Sequence, residues 1–223
     1  MTIQITAQEK DIIRNVVIPP RPEALLKFSE EAKKEEPDIG TLANAIHSDV
    51  GISAAVLQVV NSAAFRRATE VESIDQAIMV LGLKRLVPLV KAVALKSAVQ
   101  AGSALSDFWQ DQSDIATVCS LIANELSRPE LANHSYMLGL FHSAGVPVLY
   151  QHFDNYDEIL AFASENGWDA AVQREYDEFN TSHTSIGAIL AQQWKLPSAM
   201  VEVIYYQHDV GGIFDSGELS STS

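Results

Sequence analysis

Ser73-Ile-Asp-Gln-Ala-Ile-Met-Val-Leu-Gly82 reads as one complete helix with punctuation at both ends. Ser73 followed three residues later by Gln76 is a capping-box pattern, in which two side chains satisfy backbone N–H groups that a first turn leaves without partners. Ala77, Ile78, Val80 and Leu81 supply the apolar face, and Gly82 can close the helix. The same grammar recurs in both directions from this stretch.

Upstream, Thr6 and Glu9 open a predicted helix over Ala7–Val17, and Ile18-Pro19-Pro20-Arg21-Pro22 breaks it because proline lacks a donor and restricts its predecessor. Pro22 can begin a second helix that turns Leu25, Leu26, Phe28 and Ala32 inward. A short third helix spans Asp38–His47, with Asp49-Val50-Gly51 as the turn after it. Ile52, Ala55, Val56, Val59 and Val60 then form an apolar stripe that runs into Asn61, an amide expected to tie backbone groups at the helix end.

Downstream, a long apolar helix runs from Leu83 towards Ala101, with Pro88 expected in its first turn. Gly102-Ser103 is expected to divide an N-terminal helical lobe of about residues 1–101 from a second lobe of about 103–210, within one domain of residues 1–210. Asp107 to Ser127 is a long amphipathic helix carrying Phe108, Trp109, Ile115, Val118, Cys119, Ile122, Ala123 and Leu126. Further helices come after it: one near Ser135 to Gly145-Val146-Pro147, one opened by Asn155 and Glu158 and closed by Gly167, an acidic surface helix over Trp168–Phe179, one from Thr181-Ser182-His183, and a last one started by Pro197. Residues 211–223 are expected to fray as a flexible tail. Period-two alternation is never sustained, so the fold class is all-α, a multi-helix bundle in which the N-terminal lobe packs on the C-terminal lobe.

Composition bounds the function. The chain holds 15 Lys+Arg against 29 Asp+Glu, a net charge of −14 that repels phosphate backbones and disfavours direct nucleic-acid binding. The clustered cations Lys84, Arg85, Lys91 and Lys96 read as the solvated edge of a helix. They also interrupt the most apolar run, Leu83 to Val99, where a membrane span would need about 20 apolar residues, so no membrane partner is expected. Cys119 is the only cysteine, which excludes an intrachain disulfide and points to a reducing cytoplasm. Its apolar neighbours mark it as a buried small hydrophobe. Met1 to Lys10 lacks the basic and apolar regions of a signal peptide.

One polar pair stands inside an apolar stretch, His142 and Ser143 within Tyr136–Tyr150. An imidazole buried without partners costs about 1–3 kcal/mol, so His142 should be hydrogen-bonded, metal-bound or facing a cleft. His183 and His208 occupy comparable places on later helices, and imidazoles from separate helices can converge on a metal in a bundle core. Their spacings fit no compact zinc motif, and the residue after His142 is a serine rather than an acid; satisfied core or surface histidines remain the alternative. Asp209 could supply an oxygen ligand or be a solvated helix end. There is no Gly-rich phosphate loop, His-Glu-x-x-His helix or Gly-x-Ser-x-Gly elbow. Asp169, Glu175, Asp177 and Glu178 read as a solvated acidic face.

Together, Ile18-Pro19-Pro20-Arg21-Pro22, His47-Ser-Asp-Val-Gly51, Val59-Val-Asn-Ser-Ala63 and Ser73–Gly82 resemble the signature of the HDOD domain, the HD-related output domain of bacterial signalling proteins. The resemblance continues through Gly139-Leu-Phe-His142, His183-Thr-Ser-Ile-Gly187, Trp194-Lys-Leu-Pro197 and His208. It makes Asn61, Ser62, Gly82, Gly139, Gly187, Trp194 and Pro197 signature positions with structural roles. It implies an all-helical fold related to HD and HD-GYP phosphohydrolases, usually with a regulatory function. In active HD enzymes a leading histidine, a His-Asp pair and a later aspartate hold metal. Here Gln112 is the best placement for the leading histidine, His142 matches the histidine of the pair, and Ser143 replaces its aspartate, while His183 and His208 resemble histidines kept in the wider group.

A hydroxyl cannot substitute for carboxylate charge in activating bound water, and glutamine ligates transition metals more weakly than imidazole. The resemblance therefore implies a non-catalytic signalling module with no cofactor, partnered by signalling proteins or by a small-molecule or nucleotide ligand. The alternatives are a metal-dependent phosphohydrolase acting on nucleotides or cyclic dinucleotides, requiring a divalent metal, and a ligand sensor that uses the same cleft without turnover.

Overall fold

A computed structural model of the protein describes residues 21–62, 64–65, 70–99, 105–128 and 131–209. The expected helix over residues 7–17, the Ile18-Pro19-Pro20 segment and the tail from 211 lie outside them. Every regular element among the described residues is a helix, as the sequence pattern requires. In chain order these are α1 (Glu23–Glu31), α2 (Ile39–His47), α3 (Val50–Val60), α4 (Ile74–Leu81), α5 (Leu83–Val99), α6 (Ser106–Glu125) and α7 (Ala132–Phe141). They are followed by α8 (Gly145–His152), α9 (Tyr156–Asn166), α10 (Trp168–Phe179), α11 (His183–Gln193) and α12 (Ser198–Tyr206).

Two compact units divide the described residues, one built from residues 21–99 together with 107–140, the other from 141 onward with the short segment at the start of α6. The division thus differs from the expected one at Gly102-Ser103, since α6 and α7 belong with the N-terminal helices. The ties are visible: Lys96 of α5 bonds Ser113 of α6 at 2.9 Å, and Gly139 of α7 lies so close to α6 that a Cβ there would sit 2.7 Å from the Ala116 Cα.

In this first unit the caps act as the sequence proposed. The Ser73 hydroxyl accepts from Gln76 N at 3.2 Å, the Gln76 Oε1 accepts from Glu72 N at 2.8 Å, and Gly82 closes α4 at φ 69°. Asn61 grips the incoming chain twice, donating from Nδ2 to the Val71 carbonyl and accepting from Val71 N, both at 2.9 Å. Asp49-Val50-Gly51, expected as a turn, is instead the start of α3, because the Asp49 carboxylate accepts from Ile52 N at 3.0 Å and caps it. Phe28, Leu42, Ile46, Val56, Ile74 and Leu86 are fully buried where α2 packs on α1 and α4, and α5 on α3 and α4. Each such side chain contributes about 1.5–3 kcal/mol of burial.

Three further expectations are corrected in this unit. Pro88 lies buried inside the continuous helix α5, beyond the first turn, so Lys84 loses the donor its carbonyl would have received. Lys91 and Lys96 are half-buried rather than on a solvated edge, and burial pushes both amines below the usual lysine range. α6 buries Trp109, Gln112, Ala116, Ser120 and Ala123, while Val118, Ile122 and Leu126 stay exposed. Its close crossing with α7 needs small residues, so Gly139 and Ala116 decide which face turns inward rather than apolar count. Cys119 is half-buried beside Gly139, and burial pushes its thiol upward.

In the second unit, α11 is buried along nearly its whole length against α8 and α12. Close approach is made possible by two glycines. A Cβ at Gly145 would fall 2.0 Å from the His183 carbonyl oxygen, and one at Gly187 3.2 Å from Ile204 Cγ2. Gly167 at φ 86° separates α9 from α10, and Asn180, left-handed at φ 55°, ends α10. Asn155 precedes α9 without the side-chain cap expected of it. Trp194 is buried at the end of α11, and Pro197 starts α12.

Candidate functional site

Ser182 begins α11 by accepting from Ser185 N at 3.2 Å, and this fixes His183 as the first helical residue, fully buried. Its backbone N donates to Glu175 Oε2 at 2.9 Å and its Nδ1 meets the same oxygen at 2.8 Å. The other oxygen, Oε1, accepts from the Tyr156 hydroxyl. An ionised carboxylate only accepts, so the His183 Nδ1 facing Glu175 carries a proton and donates it. The His183 Nε2 is buried and makes no hydrogen bond. The Tyr156 hydroxyl is held far above the usual tyrosine range, first by burial and then by the adjacent Glu175 charge.

His208 follows α12, and its ring stands 5.3 Å from that of His183, edge to face. Trp168 closes on His183 from another side at 4.8 Å. His208 Nδ1 pairs with Asp169 Oδ1 at 2.5 Å. Burial dominates its titration and lowers its pKa below the ordinary histidine value, opposed by the Asp169 hydrogen bond and assisted by neighbouring His183. Two imidazoles, each oriented through Nδ1 by a carboxylate, therefore stand side by side.

His142 is not inside a helix, as expected, but in the turn between α7 and α8, half-buried. Its carbonyl accepts from Gln207 Nε2 at 2.6 Å, which ties this turn to the residue before His208. Ser143 is buried, and its carbonyl accepts from Val146 N at 3.0 Å at the start of α8. Gln112 belongs to the other unit, on α6, where it is buried with Oε1 unpartnered. The structure thus brings His183 and His208 into ring contact and joins the His142 backbone to the same end of α12.

Glu175, Tyr156, Asp169 and Trp168 were not candidate residues in the sequence. Glu175 was expected on a solvated acidic face, yet it is fully buried. A signal existed: Ala171, Glu175 and Phe179 recur every fourth residue, and these are the residues α10 buries. A carboxylate in register with the apolar stripe marks a buried acid. Among the described residues, no group of three or more His, Cys, Asp or Glu is placed to hold a metal ion.

The elements and the site together define an all-α helical domain that carries a carboxylate-held pair of histidines. The chain belongs to the HDOD domain family, whose model matches residues 18–210. A crystal structure of a Shewanella amazonensis SB2B protein provisionally named a phosphohydrolase shares 27% identity and superposes with a TM-score of 0.70, covering 91% of this chain and 71% of that one. An HDOD domain protein of unknown function from Geobacter sulfurreducens shares the fold, with 23% identity, a TM-score of 0.68 and coverage of 92% and 70%. Among curated relatives, the uncharacterized protein YuxH of Bacillus subtilis (strain 168) is 34% identical over 50% of this chain and 27% of its own length. An uncharacterized protein of Treponema pallidum (strain Nichols) is 24% identical over 86% of this chain and 38% of its own length. The match therefore spans well under half of either curated relative. No described helix is long and apolar enough to cross a membrane.

Proposed function

We propose that the protein is a non-catalytic bacterial signal-transduction module, cytoplasmic, that acts through protein or ligand binding on a degenerate HD site. The observation that carries the reading is the commitment of Glu175: both its oxygens are taken by Tyr156 and His183, so the buried carboxylate locks α9, α10 and α11 together rather than facing a ligand. Asp169 is likewise engaged by His208.

The donor set does not fit a divalent ion that activates water. Ser143 offers a neutral hydroxyl where the family's enzymes place an aspartate, and both oxygens of the buried Glu175 carboxylate are occupied by Tyr156 and His183. A second reading, a metal-dependent phosphohydrolase, draws on one specific observation. The unpartnered Nε2 of His183, on a ring oriented through Nδ1 by a carboxylate, has the arrangement of a metal-ligating histidine. The Shewanella relative's provisional name points the same way.

A phosphodiesterase assay with Mn²⁺ and a cyclic dinucleotide separates them. The proposed function gives no turnover above that of a His142→Ala, His183→Ala double variant. Turnover in the wild type that is lost in His142→Ala sinks it.

A further inference from the structure

Within the first unit, between α3, α5, α6 and α7, lies a cleft of about 400 Å³ lined by Lys96, Asp114, Ser62, Ser97, Thr117 and Tyr136, among others. That volume suits a small molecule rather than water alone. None of the histidine-site residues lines it, so its chemistry is independent of theirs.

The charge arrangement in the cleft is unusual. Lys96 is half-buried; its ammonium donates to Ser113 Oγ at 2.9 Å and lies 5.7 Å from the centre of the Trp109 ring. Among the described residues no carboxylate comes within ion-pair distance of it, and burial is the sole cause of its lowered pKa. A desolvated cation is costly unless matched by an anion. Asp114, on the same wall, is engaged instead by Gln110 Nε2 at 3.1 Å. The Ser62 hydroxyl is buried and unpartnered. A net charge of −14 works against collecting anions elsewhere on the molecule, so an unmatched cation in a polar cleft is a local exception.

We propose that this cleft binds a small molecule whose phosphate or carboxylate group pairs with Lys96 and whose hydrogen-bond donor reaches Asp114. Lys96 supplies the charge, the hydroxyls of Ser62 and Ser97 the surrounding donors, and the Tyr136 ring an apolar wall.

Amide NMR of the full chain tests this, with inorganic phosphate and acetate titrated separately at ionic strength held constant by chloride. Saturable shifts confined to the cleft, around Ser62, Ser97 and Thr117, are expected, and the stronger of the two anions identifies the group recognised. Lys96→Gln weakens binding tenfold or more, whereas Asp114→Asn, which removes a nearby negative charge, leaves it equal or tighter for these bare anions. Thr117→Glu, which places a carboxylate in the cleft without altering Lys96, gives the same loss as Lys96→Gln and serves if that variant does not fold. Without anion, Lys96→Met melts no lower than the wild type, because it removes an unmatched charge. No saturable shift with either anion, or shifts that persist unchanged in Lys96→Gln or Thr117→Glu, overturns the proposal.

Discussion

Glu175 and His183 are joined twice, by the imidazole Nδ1 at 2.8 Å and by the backbone N at 2.9 Å, with both side chains fully buried. The carboxylate is thus part of the cap of α11 as well as the partner of its first side chain. Removing it strands three donors at once. Glu175→Ala should cost about 3–5 kcal/mol, in the range for breaking a buried ionic network, whereas Tyr156→Phe, which deletes one donor, should cost about 1–2 kcal/mol. Chemical denaturation of the two variants measures the difference, and equal losses would contradict the lock.

The Asn61 clamp makes a graded prediction. Asn61→Ala gives up both bonds to Val71 and should lose about 1–3 kcal/mol. Asn61→Asp keeps the acceptor for Val71 N but turns an acceptor towards the Val71 carbonyl, so it should lose at least as much. A stability within error of wild type for Asn61→Asp would show that the pairing with the carbonyl is idle.

Gly145 allows α8 to begin against the His183 carbonyl, where a Cβ would fall at 2.0 Å against backbone that cannot swing away. Gly145→Ala should therefore destabilise by about 3 kcal/mol or fail to fold. Gly40→Ala is the contrast, since its Cβ would meet only Asp38 Oδ1 at 3.5 Å inside α2, and it should gain about 0.5–1 kcal/mol. Thermal melts of the pair decide it.

His208 sets a pH dependence with a definite sign. Its folded pKa is lowered, chiefly by burial, so the unfolded chain binds the proton first as pH falls through about 6.5. The stability it contributes is complete above that pH and is lost as the pH falls towards its folded pKa. Stability curves between about pH 7.5 and 5 should decline less steeply in His208→Gln than in wild type. An NMR titration should place the His208 midpoint below the ordinary value, and lower still in Asp169→Asn, which deletes the opposing hydrogen bond.

Much of this was legible in the residues. Caps such as Ser73 and Asn61's backbone tie are local, decided by side chains within a dozen positions, and periodicity sufficed for the all-helical fold. What escaped was set by packing between distant segments. The crossing of Gly139 with Ala116 turns the small face of α6 inward against the apolar count, and the acid in register on α10 becomes the partner of a histidine eight residues later across a turn. His183 and His208 were identified by motif, but the carboxylates that hold them, Glu175 and Asp169, lay within what read as a solvated run. Burial of a charge shows in sequence only through its register with apolar neighbours, and that signal was present but faint.

The central claim is that the histidine site is a structural remnant without a catalytic ion. Its most direct test is the metal retained per chain after equilibrium dialysis against Mn²⁺ and exchange into metal-free buffer. The account predicts no stoichiometric Mn²⁺ and the same trace content in His183→Ala. Stoichiometric Mn²⁺ in the wild type, lost in His183→Ala, would contradict it.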